Sequence, residues 1–265
     1  MNKLRIVAIL AASVAVSSSP ALAEGFFSGN WYVTLGGAGI SAPTFEGSKD
    51  RKLFFSPIIS VGRGGAPRFS SRNDNPSIAI YSSDVLRAGV VGKFVRGRDA
   101  GDDDALRGLS DVDWGGELGG FADVYVTDWM RARAEVRQGI RAHDGLVVDV
   151  AVDAFTDIAP DLRVSAGPRM TFATSGYADA YYGVNAAESA ASGLSQYDPD
   201  GGITSYGAGG AITWNATDKI AMSAFTEYKR LAGPAADSSL VEERGSKNQL
   251  MFGVSASYKF GVSFD

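Results

Sequence analysis

Residues 250–265 read LMFGVSASYKFGVSFD. Every second residue from Leu250 through Phe252, Val254, Ala256, Tyr258, Phe260, Val262 and Phe264 is apolar or aromatic. The residues between them, Gln249, Met251, Gly253, Ser255, Ser257, Lys259, Gly261 and Ser263, are mostly small or polar. A period of two marks a β-strand with one greasy face and one wet face. The run is much longer than the usual strand of about 5–6 residues. What lies against such a face decides the fold.

The same alternation recurs upstream. Met130, Ala132, Ala134, Val136 and Ile140 alternate with Arg131, Arg133, Glu135, Arg137 and Arg141. Leu146, Val148, Val150, Val152 and Ala154 oppose Asp149 and Asp153, and Leu162, Val164, Ala166, Met170 and Phe172 oppose Arg163 and Arg169. Leu86, Ala88, Val90 and Phe94 face away from Arg87 and Lys93. A soluble barrel turns its apolar face inward, whereas an outer-membrane barrel turns it to lipid and lines its lumen with the polar face. Strand length separates the two, because a tilted strand needs about 9–11 residues to cross a bilayer. Most of these segments reach that length, so the apolar faces are expected to meet lipid. Closure then satisfies every backbone group, which an open sheet in lipid cannot do.

The amino-terminal residues agree. Lys3 and Arg5 precede the apolar run Ile6 to Val16, and Ser17-Ser18-Ser19-Pro20 leads into Ala21-Leu22-Ala23. This is the layout of a secretory signal peptide, with cleavage expected after Ala23. Residues 1–23 are thus read as signal peptide and 24–265 as one outer-membrane β-barrel domain. Without cysteine, neither lipid attachment through a thioether nor a disulfide framework is available. No later stretch is long and apolar enough for a membrane-spanning helix. A net charge of −5 offers no basic footprint for nucleic acid. A mean hydropathy of −0.02 fits a membrane protein only if apolar residues alternate with polar ones.

Strands are predicted over 30–40, 52–63, 85–96, 114–126, 129–141, 146–156, 162–173, 203–214, 219–230 and 249–264. The fold class is therefore an all-β, antiparallel transmembrane barrel of about 10 strands, with both termini periplasmic. Ser77 to Tyr81 is also strand-like, and an extra pair of strands within 66–82 would give twelve. Short connections at Thr127-Asp128, Ala159-Pro160-Asp161 and Asn215 to Asp218 alternate with long ones at 98–113, 175–202 and 232–247, as periplasmic turns and outer loops do. Only Ala142 to Gly145 is a brief outer connection. Trp31, Trp114, Trp129 and Trp214 near strand ends suggest interfacial girdles.

Pro43-Thr44-Phe45-Glu46-Gly47-Ser48, Gly97-Arg98-Asp99, Tyr181-Tyr182-Gly183-Val184 with Ser192-Gly193-Leu194 and Tyr197, Glu227-Tyr228 with Leu231, Ala235-Ala236-Asp237-Ser238, Gly245-Ser246 and Tyr258-Lys259-Phe260 follow one another along the chain. In that order they resemble the MipA/OmpV family, the MltA-interacting outer-membrane proteins. The resemblance implies an outer-membrane barrel and, for one branch, a scaffold joining a peptidoglycan lytic transglycosylase to a murein synthase. Other branches are surface antigens with proposed adhesion roles. Asp265 after Phe264 departs from the terminal aromatic residue usual in such barrels.

Chemistry in the chain reads as sparse. His143, the single histidine, neighbours Asp144, but adjacent residues of a tight turn do not converge on one substrate atom, and the pair reads as a polar turn. Asp99, Asp102, Asp103, Asp104, Asp111 and Asp113 lack calcium-loop spacing and read as a solvated outer loop. Gly36-Gly37-Ala38-Gly39 lacks the Lys-Ser/Thr of a phosphate loop. No catalytic, metal or cofactor residue is assigned, and no enzyme is expected. Arg131, Arg133, Arg137, Arg163 and Arg169 with Glu117, Asp123, Glu135, Asp149, Asp153 and Glu227 read as an ion-pair network filling a narrow lumen. The expected partners are membrane lipid and lipopolysaccharide, and a lytic transglycosylase with a murein synthase. These would bind the periplasmic turns and residues 64–84. A narrow solute channel through the charged lumen, or an adhesin acting through 175–202 and 232–247, are the alternatives.

Overall fold

The computed structural model describes residues 29–63 and 67–264; residues 1–23, read as a signal peptide, and Asp265 lie outside them. Eleven strands form a closed barrel: β1 Gly29–Pro43, β2 Arg51–Arg63, β3 Ser77–Ser82, β4 Leu86–Val95, β5 Gly115–Thr127, β6 Met130–Ile140, β7 Leu146–Ala159, β8 Leu162–Ala173, β9 Gly202–Trp214, β10 Ile220–Leu231 and β11 Asn248–Phe264. β1 closes the ring against β11, with Trp31 opposite Val262 and Ser41 opposite Phe252.

The alternation assigns the faces as expected. In β6, Arg131, Arg133, Glu135 and Arg137 are buried inside while Val136 and Ile140 are exposed outside. Val254 at 65 %, Phe252, Tyr258 and Phe260 form the outward face of β11. This belt has no protein to cover it, so its solvent is lipid. Trp114, Trp129 and Trp214 are exposed at strand ends as a girdle requires, whereas Trp31 is buried.

The strand count differs from the even number expected. Residues 66–82 supply one strand, β3, instead of a pair, and β3 runs parallel to β2. To begin a parallel neighbour the chain must first turn back from the end of β2 and rise to the level of Ser60, where β3 starts. It does so inside the lumen, through residues 67–76. The wall therefore has eleven strands with one parallel pair, yet both ends of the barrel chain lie on the same side, since Gly29 pairs with Phe264.

By the habit of such barrels the end with long connections is the outer one. There the helices α1 Ser175–Tyr182 and α2 Ala186–Ser192, the single turn α3 Gly233–Ala236, the 3-10 turn Asp104–Leu106 and the π turn Leu240–Arg244 build a cap. Tyr177, Tyr182, Leu231, Ala235 and Val241 form one of its apolar clusters, and Phe45, Leu106, Leu109, Val184, Leu194 and Leu240 form another. Asn185 starts α2 with a capping box, its side chain accepting from Ala187 and Glu188. Arg244 ties the cap loops together by donating to the carbonyls of Ala105, Arg107 and Ser192.

Candidate functional site: the filled lumen

The charged faces of β4 to β8 converge on the strand-to-strand segment that crosses the lumen. At its base Phe69 stacks on Phe155, with centroids 4.5 Å apart and planes within 4°. The Tyr125 hydroxyl donates to the Phe69 carbonyl at 3.1 Å. Higher up, Asp74 takes two bonds from Arg131, at 2.6 and 2.8 Å, and Asn75 donates to Glu135 at 2.7 Å. Asn73 donates to Glu227 on the far wall. By sequence these residues are ambiguous, and 64–84 is expected among the partner-binding surfaces. The structure instead puts Phe69 and Asp74 inside the barrel, because the charges of β6 are satisfied there.

Each arginine of β6 serves several carboxylates. Arg131, fully buried, bonds Asp153 at 2.7 Å and lies 3.5 Å from Asp123. Arg133 reaches Asp123 at 2.9 Å and Glu135 at 2.8 Å. Arg137 bonds Glu117 at 2.7 Å and Asp149 at 2.6 Å, and also pairs with Glu135. Arg169 of β8 pairs with Asp153, and Arg87 of β4 donates to Asp123 at 3.3 Å and to the Tyr32 hydroxyl at 2.8 Å. Buried charges are tolerated only when paired and hydrogen-bonded in this manner. Of the residues read as lumen charges, Arg163 stands apart: it lies at the periplasmic mouth, bonding Asp157 at 2.7 Å and the Arg68 carbonyl at 2.6 Å.

His143 departs from the polar-turn reading. Its ring is buried, with Nε2 3.4 Å from Glu117 and an edge-on contact to Tyr177. Gly139 makes room for it, since a Cβ there would collide with the imidazole. Glu117 is already engaged by Arg137 and lies 3.6 Å from Lys93, so His143 borders the ion network through its contact with Glu117. Asp144 does not join it. Nothing in the local spacing marks His143 as inward, because its partners sit on β5 and α1, distant in sequence.

The acidic loop divides its charges among separate donors. Asp103 accepts from Ser48 at 2.8 Å and from the Ala105 amide, Asp104 pairs with Arg107 at 2.5 Å, and Asp111 accepts from the Ala100 amide. Among the described residues no three His, Asp or Glu side chains converge as metal ligands would.

A clasp between barrel and cap has no counterpart in the sequence reading. Glu46, in the connection after β1, faces Lys229 of β10 at 3.4 Å and accepts from the Tyr177 hydroxyl of α1 at 2.9 Å. Burial pushes the Glu46 carboxyl up, but Lys229 and the Tyr177 hydroxyl more than offset this and hold it below the ordinary carboxylate value. Burial raises the Tyr181 hydroxyl to about 12, so it stays protonated. Arg98 donates to the Tyr181 carbonyl at 2.6 Å, placing a cation at the carboxyl end of α1, where the helix dipole favours it.

Comparison with known protein families identifies one match. The family model of MltA-interacting protein MipA matches residues 35–260. Among solved structures, the bacterial polysaccharide outer membrane secretin is 10% identical, with 88% of this chain and 98% of that chain covered and a TM-score of 0.40. Pseudomonas aeruginosa OprH is 14% identical, with 88% and 100% covered and a TM-score of 0.33. Pseudomonas putida OprB is 16% identical over 66% of this chain, at a TM-score of 0.35; the match spans 44% of OprB's length. No curated protein sequence matches the chain. With the family model covering nearly all of an eleven-stranded barrel whose apolar faces point outward, the chain belongs to the MipA family of outer-membrane β-barrel proteins.

Proposed function

We propose that the protein works by contact and not by turnover, as an outer-membrane scaffold that joins a murein lytic transglycosylase to a peptidoglycan synthase. The observation that carries this reading is the filled lumen. The segment 67–76 and the ion pairs of β5 to β8 occupy the charged half of the barrel interior, which leaves the two ends of the molecule as its working surfaces. The family's description as MltA-interacting supports a transglycosylase as one partner.

The periplasmic end has a composition suited to binding. Its short turns present Asp84, Asp128, Asp161 and Asp218 to solvent, with exposed Trp129 beside Asp128. Among the described residues Asp128 pairs only with Arg68, at 2.9 Å. Acidic turns around an exposed indole suit a partner with a basic, partly apolar surface, since charge complementarity steers encounter and an aromatic anchor supplies binding energy. The outer face of the barrel contacts membrane lipid and lipopolysaccharide.

The test is cross-linking in intact cells, with captured proteins identified by mass spectrometry. Capture of a lytic transglycosylase or a murein synthase, lost when the turns at 83–85, 128–129 and 216–218 are replaced by Gly-Ser, supports the scaffold. Capture of lipopolysaccharide and barrel-assembly components alone, unchanged by those replacements, removes it.

A further inference from the structure

The barrel wall is incomplete at one place. β3 has 6 residues and meets β2 only at Ser60↔Ser77, Val61↔Ile78 and Gly62↔Ala79. Gly92 of β4 donates to the Pro76 carbonyl at 2.9 Å, and from there outward no strand among the described residues separates or joins residues 51–59 of β2 and 93–95 of β4. β2 is thus an edge strand over its outer half. Pro57, which has no N–H to offer, sits on it, as prolines in sheets do at edges. A side-chain contact bridges the seam: the Arg96 guanidinium lies 4.6 Å from the centre of the Phe54 ring.

Behind the seam lies a cavity of about 740 Å³, lined both by seam residues and by the lumen. That volume falls within the roughly 300–1,000 Å³ typical of small-molecule sites. Its lining changes character from side to side. On β1 and β2 it is mainly apolar, with Ala38, Ile40, Phe54 and Ile58 beside Ser56 and Ser60, and Phe225 of β10 extends this surface up to the charged pair Glu227 and Lys229. This apolar surface faces the ion pairs of β4 to β8 across the lumen. On the other side three buried donor atoms, Arg72 Nε, Arg133 Nη2 and Tyr181 Oη, lack a hydrogen-bond partner among the described residues, as do the acceptor Asn73 Oδ1 and, on β11, the Ser255 hydroxyl. Each such group calls for an explanation, because an unpaired buried donor is costly. The charged residues lining the cavity comprise eight cations and six carboxylates, and Arg72, Arg96 and Arg98 form no ion pair among the described residues.

We propose that this cavity binds an anionic amphiphile with an acyl chain, the chain lying against Ile40, Phe54, Ile58 and Phe225, the head group on Arg72, Arg133 and Tyr181, and entry sideways through the seam between β2 and β4. A polar solute would leave the apolar wall wet. A neutral hydrocarbon would leave the three donors unpaired in a medium where that costs most. An acyl anion satisfies both sides at once, and the seam opens at membrane depth, where such molecules are held.

The test uses the full barrel and a diazirine-bearing palmitate, supplied either to protein in neutral detergent or within a phosphatidylcholine nanodisc. Photolabel is expected on peptides covering 51–63 and 67–76, competed by palmitate and not by neutral palmitamide. Arg72→Gln breaks no ion pair and is expected to lower labelling about tenfold, the order of one charged hydrogen bond. Ile58→Trp fills the pocket without touching a charge and should lower it as well, which guards against a folding defect in the first variant. Since the chain has no cysteine, Pro57→Cys with Phe94→Cys can be bridged by a bis-maleimide to close the seam. Loss of nanodisc labelling in the bridged protein, with detergent-arm labelling of the open protein intact, supports sideways entry from the membrane; undiminished nanodisc labelling overturns that route. Label spread evenly over the lipid-facing strands, competed equally by palmitamide and indifferent to Arg72→Gln and Ile58→Trp, overturns the site itself.

Discussion

Arg131 and Arg163 carry the same side chain and alternate with apolar neighbours in the same way, yet their energetic roles differ. Arg131 is fully buried among Asp74, Asp123 and Asp153. Removing it takes both arginine hydrogen bonds from Asp74 and leaves Asp123 and Asp153 with one cation fewer each, so Arg131→Ala is expected to cost about 3–5 kcal/mol of barrel stability. Arg163 pairs with Asp157 at the mouth, where both side chains reach solvent, and Arg163→Ala is expected to cost under about 1 kcal/mol. Urea unfolding of both variants in the same lipid, followed by tryptophan fluorescence, checks the ranking. Equal losses would mean the interior is wetter than its burial implies.

At the scale of elements, two predictions concern the lumen segment and the cap. Replacing residues 67–76 with a Gly-Ser linker removes Phe69 from Phe155 and Asp74 from Arg131. Planar-bilayer conductance is then expected to rise from near zero to a steady open level, because this segment crosses the bore from Arg131 to Glu227. The cap responds to pH through Glu46. Its carboxyl is held below the ordinary value of 4.5 in the folded protein, so its stabilising effect is complete above that value and is lost as pH falls through the lowered one. Protease cleavage within 174–201 is expected to quicken as pH drops below about 4.5, and Glu46→Gln should already cleave faster at pH 7 and show a flatter response.

For the whole molecule, the decisive asymmetry is the seam. β5 and β6 are paired along their full length, whereas β2 has a partner on one side only over residues 51–59. Unpaired edges exchange amide hydrogens from low-energy openings. Hydrogen exchange is therefore expected to be markedly faster at alternate amides of 51–59 than in 130–140. Bridging the two introduced thiols of the Pro57→Cys, Phe94→Cys double variant should slow it.

The amino-acid sequence by itself determined ten of the eleven strands, which of their faces meets lipid, and that the barrel closes. The ten strands read from it reappear with ends shifted by at most three residues, because period-two alternation is a local property that one strand displays alone. The positions of the charges were equally legible, since Arg131, Arg133 and Arg137 sit on the face opposite Val136. Tertiary structure alone decided what those charges meet. The run 69–76 carries no periodic signal, and its partners lie far along the chain: 57 positions separate Asp74 from Arg131, and 154 separate Asn73 from Glu227. Its inward course makes β3 parallel to β2, turns an even strand count into eleven, and leaves β2 with β1 alone as a neighbour at its outer half. A seam is a missing partner, and a missing partner can be seen only once all the other strands are in place.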